Sequence, residues 1–378
     1  MSETLPRWNL PATEFLTTDA AQIQSEIITT YENLTGRTLA AGDPVRLFLL
    51  GIADILVQQR TAVNIAAQQN LLPYAQGEYL DALGTYLSVA RLAESRAKTT
   101  IRFTLSEALA TIYQIPAGFE VTNGVVTFAT DAILDIPAGK LTGEVTATCT
   151  TSGAVGNDFL AGQISTIVTP QTFLASAENV TITTGGADAE NDADYAERIR
   201  LAPNSFSVAG PKKAYIFHAK SVSSAVIDVS VVSPTPGEVE VYPLLEGGTL
   251  PSEEVLEQIE AHLSSEDIRP LTDHVSVLAP APHEYQINLH YWILADDKTK
   301  TQSIQAAVAE AVEKYRVWQQ SKIGRDIVPA KLIAAVINAG AARIDSETMT
   351  PAAFVSMPEN TVPQCTAVNV VYEGYKDE

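Results

Sequence analysis

The stretch Thr184-Gly-Gly-Ala-Asp-Ala-Glu-Asn-Asp-Ala-Asp-Tyr-Ala-Glu-Arg-Ile-Arg200 decides how this chain is organised. Gly185 and Gly186 tolerate positive φ and can turn the backbone. The acidic residues that follow suit the positive end of a helix dipole, and Asn191 or Asp192 is placed to cap that helix. Nothing in the stretch is catalytic. It is predicted to be a joint between domains, with Gly185 and Gly186 as its hinge.

Length and composition indicate a globular protein of several domains. A chain of 378 residues exceeds the roughly 250–300 residues at which a single core stops growing, so we expect two to four domains. No run of about 18 uncharged apolar residues predicts a membrane span. Met1-Ser2-Glu3-Thr4 lacks the features of a secretory signal, so we expect the protein to stay where it is made, without membrane insertion. Cys149 and Cys365 are too far apart for a zinc spacing and are predicted to be isolated thiols.

The formal charge of −21 is concentrated in the middle of the chain. Between Phe103 and Glu197 there are twelve acidic residues and a single basic one, Lys140. Such a surface repels a phosphate backbone, so we expect no nucleic-acid partner. It also keeps free subunits apart until a partner of complementary charge arrives.

Residues 1–98 are predicted to be helical. Apolar residues recur at helical spacing over residues 20–34, and Gly36 is placed to end that helix. Asp43 and Pro44 form a cap and first-turn pair that opens a second helix, which the apolar pattern extends to Leu72. The apolar face of this long helix is wide enough to pack on several partners. The residues predicted to form a partner interface on it are Phe48, Ile52, Leu56 and Val63.

The rest of the chain changes character twice. Residues 99–184 form short β-rich runs between glycine, proline and asparagine turns, which fits a small β-sandwich. Within them Ile115-Pro-Ala-Gly118 recurs as Ile136-Pro-Ala-Gly139, predicting two similar strand-turn units. Residues 185–280 and 281–378 each mix helices and strands. The predicted fold class is therefore a multidomain α+β chain with N-terminal helices, a central sandwich-like β domain and two C-terminal α+β domains. A long amphipathic helix in the last domain runs through Ile304, Val308, Val312 and Tyr315.

No constellation of residues predicts catalysis, a metal or a cofactor. Four acidic residues alternate over positions 188–194 as calcium ligands do, but Ala193 stands where the loop needs glycine and Ile199 where it needs a bidentate glutamate. Ser95-Arg-Ala-Lys98 matches a serine–lysine motif whose companion motifs are absent. A glycosidase-like pair of carboxylates stays open, because its members need be close only in space. Four aromatic residues are candidate partner anchors, with core packing favoured for the last two: Trp8, Phe15, Trp292 and Trp318.

Several short motifs recur in a fixed order along the chain. They include Gly77-Glu-Tyr-Leu-Asp-Ala-Leu-Gly84 with Arg91, the Ile115-Pro-Ala-Gly118 unit, the Gly185 stretch with Ala209-Gly210-Pro211, Arg269-Pro-Leu-Thr-Asp273 and Ile323-Gly-Arg-Asp-Ile-Val328. This ordered set resembles the baseplate J-like wedge proteins of contractile phage tails, tailocins and related injection systems. The resemblance covers about residues 70–375.

The resemblance implies a structural protein without enzymatic activity. It implies N-terminal helices that bundle with other baseplate wedge proteins, and C-terminal domains that join copies of the chain into a ring around the tail tube. Sheath-initiating and tail-hub proteins are further implied partners, with assembly in the bacterial cytoplasm and a final place in the tail baseplate. Two other interpretations stay open from the residues: a carbohydrate-binding or adhesive β protein, and a carboxylate-dependent hydrolase. The carbohydrate-binding interpretation predicts an exposed aromatic platform on the β domain, and the hydrolase interpretation predicts a deep pocket lined by carboxylates.

Overall fold

The structure is a computed structural model that describes residues 6–206, 210–265 and 268–377. Contacts between residues divide the chain into two units. The first holds the residues up to Arg91 together with Asn191–Arg200, and the second holds Leu92–Glu190 together with the residues from Leu201 onward. The chain therefore leaves the first unit after Arg91, returns to it at Asn191 and leaves it again after Arg200.

Helices make up most of the first unit. They are α1 (Ala20–Thr35), α2 (Pro44–Gln68), α3 (Gly77–Thr85) and α4 (Asp192–Leu201). Asp19 caps α1 by accepting hydrogen bonds from the backbone N–H groups of residues 21 and 22, and Gly36 ends it with a φ of 66°. Asp43 caps α2 in the same way, with Pro44 in the first turn. These helix starts and stops agree with the sequence signals.

The predicted extent of the second helix is wrong at its C-terminal end. α2 ends at Gln68 and does not reach Leu72. The N–H of Leu71 already bonds in a turn, to the carbonyl of Gln68. Pro73 explains the stop, because proline has no N–H and disfavours helical backbone in the residue before it. The apolar residues after Gln68 continue the hydrophobic pattern without continuing the helix.

Short strands open the second unit. They are β1 (Lys98–Leu105), β2 (Tyr113–Ile115), β3 (Glu120–Thr122), β4 (Thr127–Thr130), β5 (Leu134–Ile136), β6 (Thr142–Cys149), β7 (Thr166–Ile167) and β8 (Leu174–Asn179). One antiparallel sheet has the order β7-β3-β4-β6-β1-β8, and its edge strands β7 and β8 approach each other. The sheet therefore curls into a nearly closed barrel. β2 and β5 form a separate antiparallel pair.

The fold class predicted from the sequence is confirmed, and the central β domain takes a barrel form where the sequence suggested a sandwich. Alternation of inward and outward residues is the same in both, so the pattern does not reveal whether one sheet curls or two sheets pack. Each repeated Ile-Pro-Ala-Gly unit begins at the last residue of one of the paired strands β2 and β5 and continues into the turn that follows. Ile115 and Ile136 are both fully buried, and both units turn at a glycine of positive φ, 79° at Gly118 and 80° at Gly139.

Two small sheets follow the barrel. The first is formed by β9 (Val226–Val232), β10 (Glu238–Leu245) and β11 (His274–Val277) in the order β11-β10-β9, and it packs against α5 (Lys212–Lys220) and α6 (Glu253–Leu263). The second has the order β13-β12-β14, with β12 (Ala281–Leu294), β13 (Arg343–Ile344) and β14 (Thr361–Lys376). It packs against α7 (Thr301–Gln320) and α8 (Pro329–Asn338). All four residues predicted for the inner face of α7 are buried.

Hydrogen bonds and a small apolar cluster connect these two α+β parts. Tyr242 and Leu244 of β10 pack with Ile323 and Val362. Asp228 on β9 accepts a hydrogen bond from the backbone N–H of Ile323, 2.9 Å away. Among the described residues no helix is long and apolar enough to cross a membrane.

Candidate partner-docking face and domain joint

Helix α2 presents apolar side chains to solvent. Along this 25-residue helix only Ala53 and Asn64 are buried. Phe48 is 68% exposed, Leu56 38% and Val63 47%, while Ile52 is half-buried. The four residues predicted for a partner interface thus all lie on accessible helix surface, and their role as an interface stays a prediction.

Two of these four residues, Phe48 and Ile52, belong to a line along the helix, and Leu56 and Val63 lie beside that line. Steps of four and three residues connect Phe48, Ile52, Ile55, Gln59, Ala62 and Ala66. We call this set the outer stripe, because such spacing puts all six residues on one side of a helix. Its first half carries large side chains and its second half small ones. The spacing is that of a seam between packed helices.

Asn64 fixes which side of α2 faces inward. Its Oδ1 accepts hydrogen bonds from the backbone N–H groups of Phe15 and Leu16, at 3.1 and 2.9 Å, and its Nδ2 donates to the carbonyl of Leu16 at 2.7 Å. These bonds satisfy a buried amide that would otherwise be costly. They hold the segment before α1 against α2 on the side away from the outer stripe.

A groove of about 910 Å³ runs beside the outer stripe. Ala62 and Ala66 of the stripe form part of its wall, together with Ile65 and Gln69 of α2 and Tyr79 of α3. Tyr79 is largely exposed. Small residues beside a mostly apolar groove allow a second helix to approach closely, so this surface is suited to an amphipathic helix of another chain.

The predicted joint contains a set of contacts that fasten α4 within the first unit. Tyr195 is buried, and its hydroxyl donates to the carbonyl of Val89 at 2.7 Å. A Cβ at Gly84 would overlap the Tyr195 hydroxyl, so only glycine fits there. The guanidinium groups of Arg91 and Arg198 lie over the tyrosine ring, 4.6 and 5.5 Å from its centroid.

An ion-pair network surrounds this tyrosine. Arg91 donates to Asp81 at 2.9 Å and to Asp192 at 2.8 Å, and Asp192 also accepts from the backbone N–H of Gly77 at 3.0 Å. Burial is the largest influence on Asp192 and raises the pKa of its carboxyl, but the bonds from Gly77 and Arg91 together lower that pKa below its ordinary value. The motif residues of positions 77–91 and the motif residues of α4 thus meet in space.

The alternation of acidic residues before and within α4 serves hydrogen bonding. Asn191, one of the two predicted caps, is the residue that caps α4, accepting from the N–H groups of Ala193 and Asp194 at 2.9 and 3.0 Å. Asp188 accepts from the N–H of Ala154 at 3.0 Å, and Glu190 accepts from the N–H of Leu92 at 2.9 Å. Each side chain has a separate protein partner, and within the described residues no group of three metal-type ligands occurs.

Gly185 and Gly186 lie in a bonded segment of the second unit. Asn157 exchanges two hydrogen bonds with the backbone of Gly186, at 2.8 and 2.9 Å. Gly185 has a φ of 86°, whereas Gly186 is required by space, because a Cβ there would overlap the carbonyl of Gly153. The boundary between the two units falls after Glu190, five residues from Gly185. The hinge role of the two glycines stays a prediction.

Comparisons with known proteins cover most of the chain. Residues 100–186 match the Baseplate J-like protein barrel domain, residues 207–279 the Baseplate J-like central domain and residues 286–371 the Baseplate J-like protein C-terminal domain. Baseplate protein J of Escherichia phage P2 is 33% identical over 207 residues, which are 54% of this chain and 67% of that protein. A chain of the cryo-EM structure of the anti-feeding prophage baseplate, 6-fold symmetrised, is 13% identical with a TM-score of 0.40, covering 91% of this chain and 90% of its own. This chain belongs to the baseplate J-like protein family.

Proposed function

We propose that this protein is a wedge component of a contractile-tail baseplate, and that α2 is where it packs against helices of another baseplate protein. In this proposal residues 1–98 form the wedge bundle, 99–184 the barrel, and 185–280 and 281–378 two α+β domains that join copies into a ring around the tail tube. Membership in the baseplate J-like family supports a structural role in a baseplate. The observation that carries the finer proposal is the outer stripe of α2. Contacts with sheath-initiating and tail-hub proteins belong to the same proposal.

The energetics of the stripe favour a partner. Burying a phenylalanine, isoleucine or leucine side chain contributes on the order of 1.5–3 kcal/mol. Phe48 and Ile52 of the stripe, with Leu56 beside it, therefore offset part of the roughly 4–15 kcal/mol that association costs in lost freedom, and Phe48 contributes most because it is the most exposed of the three. Small side chains at Ala62 and Ala66 allow the partner helix to come close along the second half.

A binding function for carbohydrate is less well supported. A sugar-binding barrel needs a platform of exposed aromatic rings. Phe103, Phe119 and Phe128 are buried in the barrel core, whereas Phe173 is exposed. Phe103 and Phe119 pack edge to face, with ring centroids 5.6 Å apart. Their side chains therefore stabilise the barrel and are not available to stack on a ligand.

A hydrolase function is also less well supported. The acidic groups whose pKa departs from its ordinary value are all shifted downward within the described residues, opposite to what a general acid needs: Asp192, Glu310, Glu313 and Asp345. A cleft of about 920 Å³ has four carboxylates in its wall, Asp158, Glu246, Glu253 and Glu254, and no histidine or cysteine lines it beside them. We therefore propose a non-enzymatic role.

The test of the docking face is to place charge on the stripe and directly beside it. Replacing Ile52 and Leu56 by aspartate should abolish co-purification with the helical baseplate proteins expressed beside it, because two buried charges cannot be compensated there. A matched pair sharpens the test. Phe48→Asp lies on the stripe and should weaken binding at least tenfold, whereas Leu47→Asp, at a neighbouring site that is 58% exposed but off the stripe, should not.

Folding is checked by circular dichroism of each variant, which must match the unchanged chain. Assembly that is equally efficient for Phe48→Asp, Leu47→Asp and the double variant would remove the outer stripe as the docking face. Loss of assembly in Leu47→Asp alone would place the interface on a different side of α2.

A further inference from the structure

A tryptophan flanked by two cations lies on the surface of the C-terminal domain. Trp318 is in the last turn of α7 and is 36% exposed, so the core packing favoured by the sequence does not describe it. The guanidinium carbon of Arg325 lies 4.2 Å from its ring centroid and the ammonium nitrogen of Lys331 lies 4.3 Å from it. We call these three residues the Trp318 surface. A tryptophan held by cation–π contacts is a rigid, ready anchor for a partner.

The cations of this surface differ from their neighbours on α7. Lys314 pairs with Glu310 at 2.6 Å, and Arg316 pairs with Glu313 on the same helix. Within the described residues neither Arg325 nor Lys331 has a carboxylate within ion-pair distance. Arg325 donates instead to the hydroxyl of Ser321 at 3.1 Å. Burial lowers the pKa of Arg325, and Asp228 offsets part of that effect.

A complementary feature occurs on the outer face of the barrel. Glu120 on β3 stands opposite Ala129 on β4, and Asp131 is the first residue after β4. Both carboxylates are exposed. We call this pair the Glu120 surface.

The cation of the neighbouring strands does not neutralise this pair. Arg102 on β1 is bound to Glu144 at 2.8 Å and lies 3.7 Å from Glu178. Asp131 accepts a hydrogen bond from the hydroxyl of Thr148 at 2.7 Å, and no ion pair with either carboxylate forms within the described residues. The outer barrel face therefore offers two exposed carboxylates of a charge that complements Arg325 and Lys331.

We propose that the Trp318 surface of one copy binds the Glu120 surface of a second copy of this chain. The two surfaces are different parts of the same molecule, so their contact is heterologous and continues from copy to copy, as a ring requires. The cations attract the acidic barrel and set the register, while Trp318 supplies buried area. Phosphate backbones are a poor alternative partner, since the whole chain carries −21 and would repel them. This inference rests on the proposed ring only for its biological setting.

Cysteine cross-linking tests the contact in the full chain. Glu120→Cys and Lys331→Cys are made separately in a Cys365→Ser background, purified and mixed at high concentration under mild oxidation. The mixture should give a disulfide-linked dimer at least tenfold above either variant alone, and a chain carrying both cysteines should give a ladder. Lys314→Cys, exposed on α7 four residues before Trp318, is the control and should not link to Glu120→Cys.

The proposal is overturned if Glu120→Cys and Lys331→Cys form no disulfide, or if Lys314→Cys links to Glu120→Cys equally well. Disulfides between two copies of Lys331→Cys would instead show a symmetric contact. A charge exchange gives an independent readout. Lys331→Glu and Glu120→Lys should each reduce self-association about tenfold in sedimentation velocity, and mixing them should restore it. The proposed wedge function is tested separately, by co-purification of partner proteins through α2. Lys331→Glu and Glu120→Lys leave α2 unchanged, so the two tests can fail independently.

Discussion

Adding one methyl group at Gly84 should loosen α4 from the first unit. A Cβ there would overlap the hydroxyl of Tyr195 and lie 2.5 Å from the carbonyl oxygen of Val89, which is backbone and cannot rotate away. Either α4 shifts or the Tyr195–Val89 hydrogen bond breaks. Overpacking costs roughly 1–3 kcal/mol and the lost bond about 1 kcal/mol, while better helix propensity returns up to about 1 kcal/mol. The net expectation for Gly84→Ala is therefore a loss of about 1–3 kcal/mol in the free energy of unfolding.

The assay is thermal unfolding of the full chain with hydrogen exchange on the residues of α4. For a unit of about 100 residues each kcal/mol lowers the midpoint by roughly 4–8 °C. Gly51→Ala in α2 is the matched control, because nothing lies within 4 Å of its added Cβ, and it should be neutral or stabilising by up to about 1 kcal/mol. In Gly84→Ala with Tyr195→Phe the worst overlap is gone, so the two losses should be less than additive. A Gly84→Ala chain as stable as the unchanged one, or strictly additive losses, would refute the packing argument.

Two further predictions concern the same region. The folded-state pKa of Asp192 lies below its ordinary value, because the bonds from Gly77 and Arg91 outweigh the burial that raises it. The ionised Asp192 side chain therefore contributes to the free energy of unfolding above about pH 4, and this contribution is lost as the pH falls through the folded pKa. Asp192→Asn should therefore destabilise the first unit at neutral pH and flatten the acid limb of its unfolding curve; an unchanged pH profile would contradict the network. If Gly185 is a hinge, Gly185→Ala should still fold, although strain at positive φ lowers its free energy of unfolding by roughly 1–3 kcal/mol. The same variant should impair tail contraction. Fully contractile particles would argue against the hinge, whereas Gly186→Ala does not distinguish hinge from packing.

The sequence predicts those parts of the structure that have a local period or a local cap. The face of α7 through Ile304 and Val312 was identified because residues three and four apart share one side of a helix. The start of α2 is predicted from Asp43, whose side chain accepts a hydrogen bond from the nearby backbone, whereas α1 is predicted from apolar spacing, and its cap Asp19 is seen only in the structure. The predicted end of α2 is wrong because apolar residues, Leu71 and Leu72, continue the pattern after the helix has ended at Gln68.

Polar contacts between distant segments were not predictable in the same way. Asp192 meets Gly77 and Arg91 across about a hundred residues of intervening chain, and no periodic pattern signals such a meeting. The motif residues were visible, but only the structure explains why Gly84 must be glycine. Spacing predicts four interface residues on α2, and their role stays a prediction. Phe48 and Ile52 lie on the outer stripe, Leu56 and Val63 lie beside it, and Ile55 is a stripe residue that the prediction does not include.

The interrupted first unit has a consequence for the order of synthesis. Its helices α1 to α3 leave the ribosome before the barrel, whereas α4 follows only after residues 92–190. At about 5–20 residues per second those residues take on the order of 5–20 s to make. During that interval Tyr195 has not yet been synthesised, so its site against Gly84 is unfilled. Leu92 and Glu190, the two ends of that intervening segment, lie together, because the N–H of Glu190 bonds to the carbonyl of Leu92 at 3.1 Å. If this segment folds first, the chain that leads into α4 is already close to the chain that follows Arg91.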